Sequence, residues 1–235
     1  MPVMLKKIFF LAAVVVRCGA VLWAGDTASF VDLGFSRDGA VYMFAQYGVV
    51  LGTLKPWAEL YAVDIAKNDF VSGGKLSYSS VNSLNAGNDG IGAFYRIIAQ
   101  NSVLADRHGV DFLHQGQPLY VALDAEGGNP QGERIDFRDF ERGFSYQARL
   151  VPSAEGTGAG LKSSFYIDLE RNGPAGDRKS FTVGNPGVRR PLIATYKIKR
   201  VIASPLDNSL IFVIETRKQA ANGYDVRYMI ETLHP

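Results

Sequence analysis

Any proton-transfer or metal chemistry in this chain would have to rest on three histidines and a scattering of carboxylates. His108 and His114, with Asp111 midway between them, are the residue types that hold zinc. The histidines stand six positions apart, however, and Gly109 falls just after the first. A glycine there ends a helix, so the three side chains need not share a direction, and the spacing predicts incidental surface histidines with no metal site. His108 would then sit favourably at a helix C-terminus when protonated. The run Asp136-Phe-Arg-Asp-Phe-Glu-Arg142 offers paired carboxylates of the kind glycosidases use. Its alternation is simpler: Ile135 and Phe137 face inward, Asp136 and Arg138 face water, and a turn follows. No Gly-x-Ser-x-Gly elbow accompanies the serines, and His234 is the next-to-last residue. Glu155-Gly-Thr-Gly-Ala-Gly160 lacks the Gly-Lys-Ser/Thr of a phosphate loop, Lys162 coming only after Leu161, and suits a hairpin. Asn85-Ala-Gly-Asn-Asp-Gly90 imitates a calcium loop but has Gly87 third and Arg96 twelfth, where a ligand and a bidentate glutamate are needed.

Aromatic residues carry a different possibility. Tyr47, Trp57 and Tyr61 surround the stretch from Gly48 to Pro56, read as a long connection, and Trp57 is the only tryptophan beyond residue 24. Aromatics on a loop beside a sheet edge make binding surfaces for sugars, peptides or protein partners. The competing reading folds Trp57 over the sheet to close a core.

The elements that must position these residues are mainly strands. Apolar residues recur with period two at Phe144, Tyr146, Ala148 and Leu150, at Phe165, Ile167 and Leu169, and at Leu192, Ala194, Tyr196 and Ile198, which leaves Thr195, Lys197 and Lys199 facing water. One segment has helical spacing, with Ile91, Phe94, Tyr95, Ile98, Ser102 and Ala105 on a face, Asn88 or Asp89 as its cap and Gly109 as its stop. Ser36-Arg-Asp-Gly39 before Val41-Tyr-Met-Phe44 parallels Ser204-Pro-Leu-Asp-Asn208 before Leu210-Ile-Phe-Val213. Each pattern leads into another short strand, so residues 30–66 and 198–233 read as two related antiparallel meanders. The turn-then-strand unit is similar to propeller blades of the TolB type, although two copies do not make a propeller. The expected fold is mainly β, with antiparallel sheets arranged as a sandwich or propeller fragment and one amphipathic helix near 90–108. The meanders are expected side by side, with the helix and strands of 67–197 as a second layer in a single domain spanning 25–235.

The chain has 235 residues, 47% hydrophobic and 20% charged, which excludes disorder. Its start is secretory in character: Lys6-Lys7 precedes an apolar stretch from Ile8 to Val16, too short to span a membrane. Cleavage is expected after Ala20 or, preferably, Ala24, leaving no transmembrane span. Arg17 stands where a lipobox needs a small residue, which argues against a lipoprotein anchored through Cys18. Removing residues 1–24 takes Lys6, Lys7 and Arg17, so 25 basic residues become 22 against 23 acidic and the net charge moves from +2 to −1. Nucleic acid is then a poor partner. Cys18 is the only cysteine, so the remainder has neither disulfides nor a thiol nucleophile.

Phe30-Val-Asp-Leu-Gly-Phe-Ser-Arg-Asp-Gly39, Phe44-Ala-Gln-Tyr-Gly48, Trp57-Ala-Glu-Leu-Tyr-Ala-Val-Asp64 and Asp225-Val-Arg-Tyr-Met229 together resemble an uncharacterised bacterial family of predicted secreted proteins, familiar from spirochaetes. The resemblance spans nearly the whole chain after the leader. It implies export to the periplasm or beyond and supplies no catalytic residues. The expected function is non-catalytic binding or association with the cell envelope, with an envelope protein or glycan as partner and no cofactor. An envelope hydrolase whose carboxylates meet only in three dimensions is the alternative.

Overall fold

The computed structural model describes residues 25–123, 127–221 and 223–235. The leader, Cys18 and both cleavage positions lie outside the described residues. The chain forms three antiparallel sheets. Sheet I takes β1 (Ser29–Phe35), β2 (Val41–Val50), β3 (Lys55–Asp64) and β4 (Asp69–Ser79) in sequence order. Two helices follow, α1 (Ile91–Gln100) and α2 (Ser102–His108), and then β5 (Gln117–Val121). Sheet III contains β6 (Glu133–Asp139), β7 (Phe144–Glu155), β8 (Lys162–Asn172), β9 (Arg178–Val183) and β10 (Arg190–Pro191). Sheet II has the order β13-β12-β11-β5, from β11 (Ile193–Ala203), β12 (Leu210–Ala220) and β13 (Gly223–Leu233).

The layers run helices, sheet I, sheet II, sheet III, and three cores lie between them. Ala93, Ile97, Leu104 and Ala105 pack on Met43, Ala45, Ala58 and Leu60 of sheet I. Phe35, Tyr42, Phe44 and Val63 of sheet I meet Ile202, Ile211, Val213 and Ile230 of sheet II. The opposite face of sheet II, with Tyr196, Ile198, Phe212 and Ile214, meets Tyr146, Leu150, Phe165 and Ile167. This is a sandwich-like stack, not a propeller fragment. The meanders lie face to face as the two middle layers, while the helices and the central strands cover opposite outer faces instead of forming one second layer. Strands β2 and β12 are consequently buried on both sides, which accounts for their unbroken apolar runs.

Local chemistry explains the paired turns. Ser36 Oγ accepts from Val41 N–H at 2.9 Å and donates to Asp38 Oδ1 at 2.6 Å, with Gly39 at φ +72°. In the second turn Asp207 Oδ1 accepts from Ser209 N–H at 2.9 Å and Ser204 N–H donates to the Ser209 carbonyl. The turns abut: a Cβ on Gly39 would stand 3.2 Å from Leu206 Cδ1.

Four expectations need correction. The single helix is two, because Asn101 leaves helical geometry and its side-chain Nδ2 donates to the Ile97 carbonyl at 2.8 Å. The buried stripe is rotated toward Ala93 and Ile97, leaving Tyr95 exposed, since small Ala93 lets α1 approach the alanine-rich face of sheet I. Lys197 is buried opposite Glu215 instead of facing water, because register shifts at Ile193/Thr195 and Ile198/Arg200 break the alternation along β11. The sheet boundaries also differ from the expected segments, since β4 belongs with the first meander and all of β11 with the second.

A candidate ligand cleft

The stretch from Gly48 to Pro56 is not a loop. β2 and β3 pair in register out to Val50↔Lys55, leaving only the turn 51–54, where Leu54 takes φ +54°. Gly48 lies opposite Trp57, and a Cβ there would stand 3.0 Å from the indole. Strand parity then separates the three aromatics. Tyr47 faces the helices, its ring 5.9 Å from that of Phe94. Trp57 and Tyr61 face sheet II, both largely buried. Trp57 Nε1 donates to Asp26 Oδ2 at 3.0 Å, and the Arg227 guanidinium covers the indole at 4.1 Å while donating to the same carboxylate oxygen at 2.8 Å.

Tyr61 belongs to a different environment. Rings from all four strands of sheet I form a row: Phe30 stacks on Phe44 at 5.6 Å, Phe44 on Tyr61 at 4.7 Å, and Tyr61 on Phe70 at 5.5 Å. The row starts at half-buried Phe30, passes through the core at Phe44 and Tyr61, and ends at Phe70, whose side is open to solvent at 46% exposure. There it borders a cleft of about 660 Å³ between β3–β4, β13 and the segment after β9, which includes Asn185 and Val188. The Tyr61 hydroxyl donates to Glu59 Oε2 at 2.7 Å, and burial, reinforced by the Glu59 charge, raises the phenol far above its ordinary pKa.

Glu231 closes the other side. Its carboxylate accepts from Asn68 Nδ2 at 2.5 Å and pairs with Arg190 at 3.3 Å. Burial is the main influence on it and raises its pKa, against the opposing effects of Asn68 and Arg190. Gly184, at φ +87°, lies so near that a Cβ would come 3.3 Å from this carboxyl. Asn68, itself at φ +51°, anchors the wall through Thr232 N–H, which donates to its Oδ1 at 2.7 Å. The cleft therefore joins an aromatic face to a pinned carboxylate, with Lys67 and Lys75 also lining it. Of the three aromatics singled out from sequence as a binding surface, Tyr61 alone lies here. Phe70, Asn68, Lys75 and Glu231 were not legible as a group, because positions 68 and 231 meet only through the stacking of the two sheets.

A family model described as predicted secreted protein (DUF2259) matches residues 43–234. The chain belongs to the DUF2259 family. No curated protein and no solved structure matches it. The matched region of this DUF2259 protein contains the cleft in full.

The other chemical candidates in the DUF2259 chain resolve into local structure. Asp111 Oδ1 accepts from Leu113 N–H, and the His114 carbonyl accepts from Phe35 N–H, so this segment caps the end of β1. Among the described residues no three His, Cys, Asp or Glu side chains are grouped to hold a metal ion. Asp139 is buried with Phe137 whereas Asp136 is exposed, so the two carboxylates leave β6 on opposite faces and cannot act on one bond. Asp139 instead accepts from Glu141 and Arg142 N–H in the following turn. Ser209, His234 and Asp207 have the composition of a triad. Both Ser209 Oγ, at 2.8 Å, and Asp207 Oδ2, at 3.4 Å, address the same ring nitrogen, Nδ1, whereas a triad needs one partner on each. Glu155–Gly160 is the hairpin between β7 and β8, with Gly156 and Gly158 at positive φ.

Proposed function

We propose that this protein is exported and acts without catalysis as a binding protein of the cell envelope, with the cleft bounded by Tyr61, Phe70 and Glu231 as its ligand site. The observation that carries this reading is the end of the aromatic row. A large ring left half in water at the mouth of a cleft offers a ligand apolar contact area, while the polar groups beside it set orientation. The family's description as predicted secreted supports a protein that works outside the cytoplasm. Tyr47 and Trp57 take structural parts in this reading, and Tyr61 keeps the binding role.

The test is co-sedimentation of the tagged protein with isolated cell envelopes. Phe70→Ser is expected to lower retention at least fivefold, while Tyr95→Ser, an exposed aromatic on the helix side, leaves it unchanged. Equal retention of both variants and the parent protein would overturn the assignment of the site.

A second reading has one observation behind it. Glu231, with a raised pKa in a cleft that also contains Asp69, has the character of a general acid, which fits an envelope hydrolase. Its bonds to Asn68 and Arg190 favour a fixed structural carboxylate. Glu231-dependent release of soluble fragments from purified envelopes would decide for the hydrolase.

A further inference from the structure

β13 is an edge strand, and the fold fills its open side from within. β12 pairs with it in unbroken register from Gly223 to Leu233, so the N–H groups facing away from β12 fall at every second residue. Val226 N–H donates to the Asp26 carbonyl at 2.8 Å, and the Val226 carbonyl accepts from Ala28 N–H at 3.1 Å, with Thr27 in parallel register. Tyr228 N–H donates to Gln46 Oε1 at 2.8 Å. Thr232 N–H donates to Asn68 Oδ1 at 2.7 Å. Ile230 stands between the last two in the same series, and among the described residues its outward N–H meets no acceptor. Tyr228, Ile230 and Glu231 all line the cleft.

We propose that the ligand of the cleft is an extended peptide segment of a partner protein, which adds to the β13 edge with one of its residues opposite Ile230. This deepens the reading of the cleft as the ligand site and rests on it. A peptide supplies the acceptor and donor, at strand spacing, that an edge residue lacks, and main-chain bonding of this kind is a recurring mode of recognition. The protein's own residues 26–28 already use the same edge four residues upstream. From Tyr228 to Thr232 the edge runs about 13 Å at ~3.3 Å per residue, room for three or four ligand residues between the Gln46 and Asn68 side chains. The side-chain chemistry follows from the walls. Tyr61 and Phe70 receive an apolar side chain. Lys75 lies 6.0 Å from the Phe70 ring centre, on the face it shares with Tyr61, and pairs with no carboxylate among the described residues, so an acidic side chain two residues from the apolar one, on the same side of the ligand strand, meets it.

The experiment follows the backbone amides of the isotopically labelled protein by NMR during titration with pooled acetylated pentapeptides that have a central Phe, Leu or Val and Asp or Glu at the first and last positions, two residues away on the same face. The pool is expected to shift the Ile230 and Lys75 amides and to slow exchange at Ile230. The same pool N-methylated at the central residue should bind at least tenfold more weakly, and Lys75→Glu should weaken the unmodified pool at least fivefold with an unchanged melting temperature. Equal binding of the N-methylated pool, or no shift at Ile230, overturns the inference. Chitotetraose separates the two levels of the argument. If it moves the cleft amides and the peptides do not, the peptide inference fails and the cleft remains a ligand site; if neither does, both fail.

Discussion

Replacing Asp26 by Ala tests whether the first residues of the described chain are part of the folded body. Asp26 is 7% exposed, and one of its carboxylate oxygens serves both Trp57 Nε1 and the Arg227 guanidinium. Alanine keeps the main-chain bonds to β13 but leaves two donors without their acceptor. A buried N–H stripped of its partner costs about 1–3 kcal/mol. Breaking a fully buried ion pair costs roughly 3–5 kcal/mol. The Arg227 side chain is 28% exposed and still reaches water, which lowers its share. The expected total is about 2–4 kcal/mol, a fall in melting temperature of roughly 5–15 °C for a domain of this size. Thermal unfolding followed by circular dichroism measures it. A double-mutant cycle of Asp26→Ala with Arg227→Met should show a coupling of at least ~1 kcal/mol. An Asp26→Ala protein that melts within a degree of the parent, or a cycle with no coupling, would refute the reasoning.

Truncation before Asn222 removes β13, with Val226, Tyr228 and Ile230 at roughly 1.5–3 kcal/mol each when buried, and should abolish cooperative unfolding; a soluble truncated protein that melts cooperatively would contradict the shared core. Because burial raises the folded-state pKa of Glu231, its favourable contribution is complete below the unfolded value near 4.5 and is lost as pH rises through the folded value. The melting temperature of Glu231→Gln should therefore gain on that of the parent between pH 4 and pH 7, and a difference that stays constant or moves the other way refutes this. Chelation should leave the melting temperature unchanged, and a large fall would make His108, Asp111 and His114 the first residues to mutate. Intact-mass measurement of exported protein should place its first residue at Gly25, where a Cβ would stand 1.7 Å from the Tyr224 carbonyl oxygen; full-length protein confined to the cytosol would contradict export.

What the sequence determined by itself is what neighbouring residues decide. Period-two alternation marked the strands of sheet III, Ser-Arg-Asp-Gly and Leu-Asp-Asn marked the paired turns, and Gly109 marked the end of the helical segment at φ +62°. The opposite faces of Asp136 and Phe137 were legible for the same reason, since side-chain direction alternates within one strand. Tertiary structure decided everything that depends on which surface covers which. Period two says that a strand has two faces, but not that both are buried, as they are in β2 and β12. A bulge resets the alternation without altering composition, so Lys197 turned inward unseen. Tyr47 parted from Trp57 and Tyr61 because the pairing of Gly48 with Trp57 put them on opposite sides of sheet I. The cleft itself needed Asn68 to meet Glu231 and Gln46 to meet Tyr228, contacts across 163 and 182 residues. No local pattern encodes such distances; they follow from the packing of one sheet against another, which is selected by the burial of whole faces and not by any residue alone.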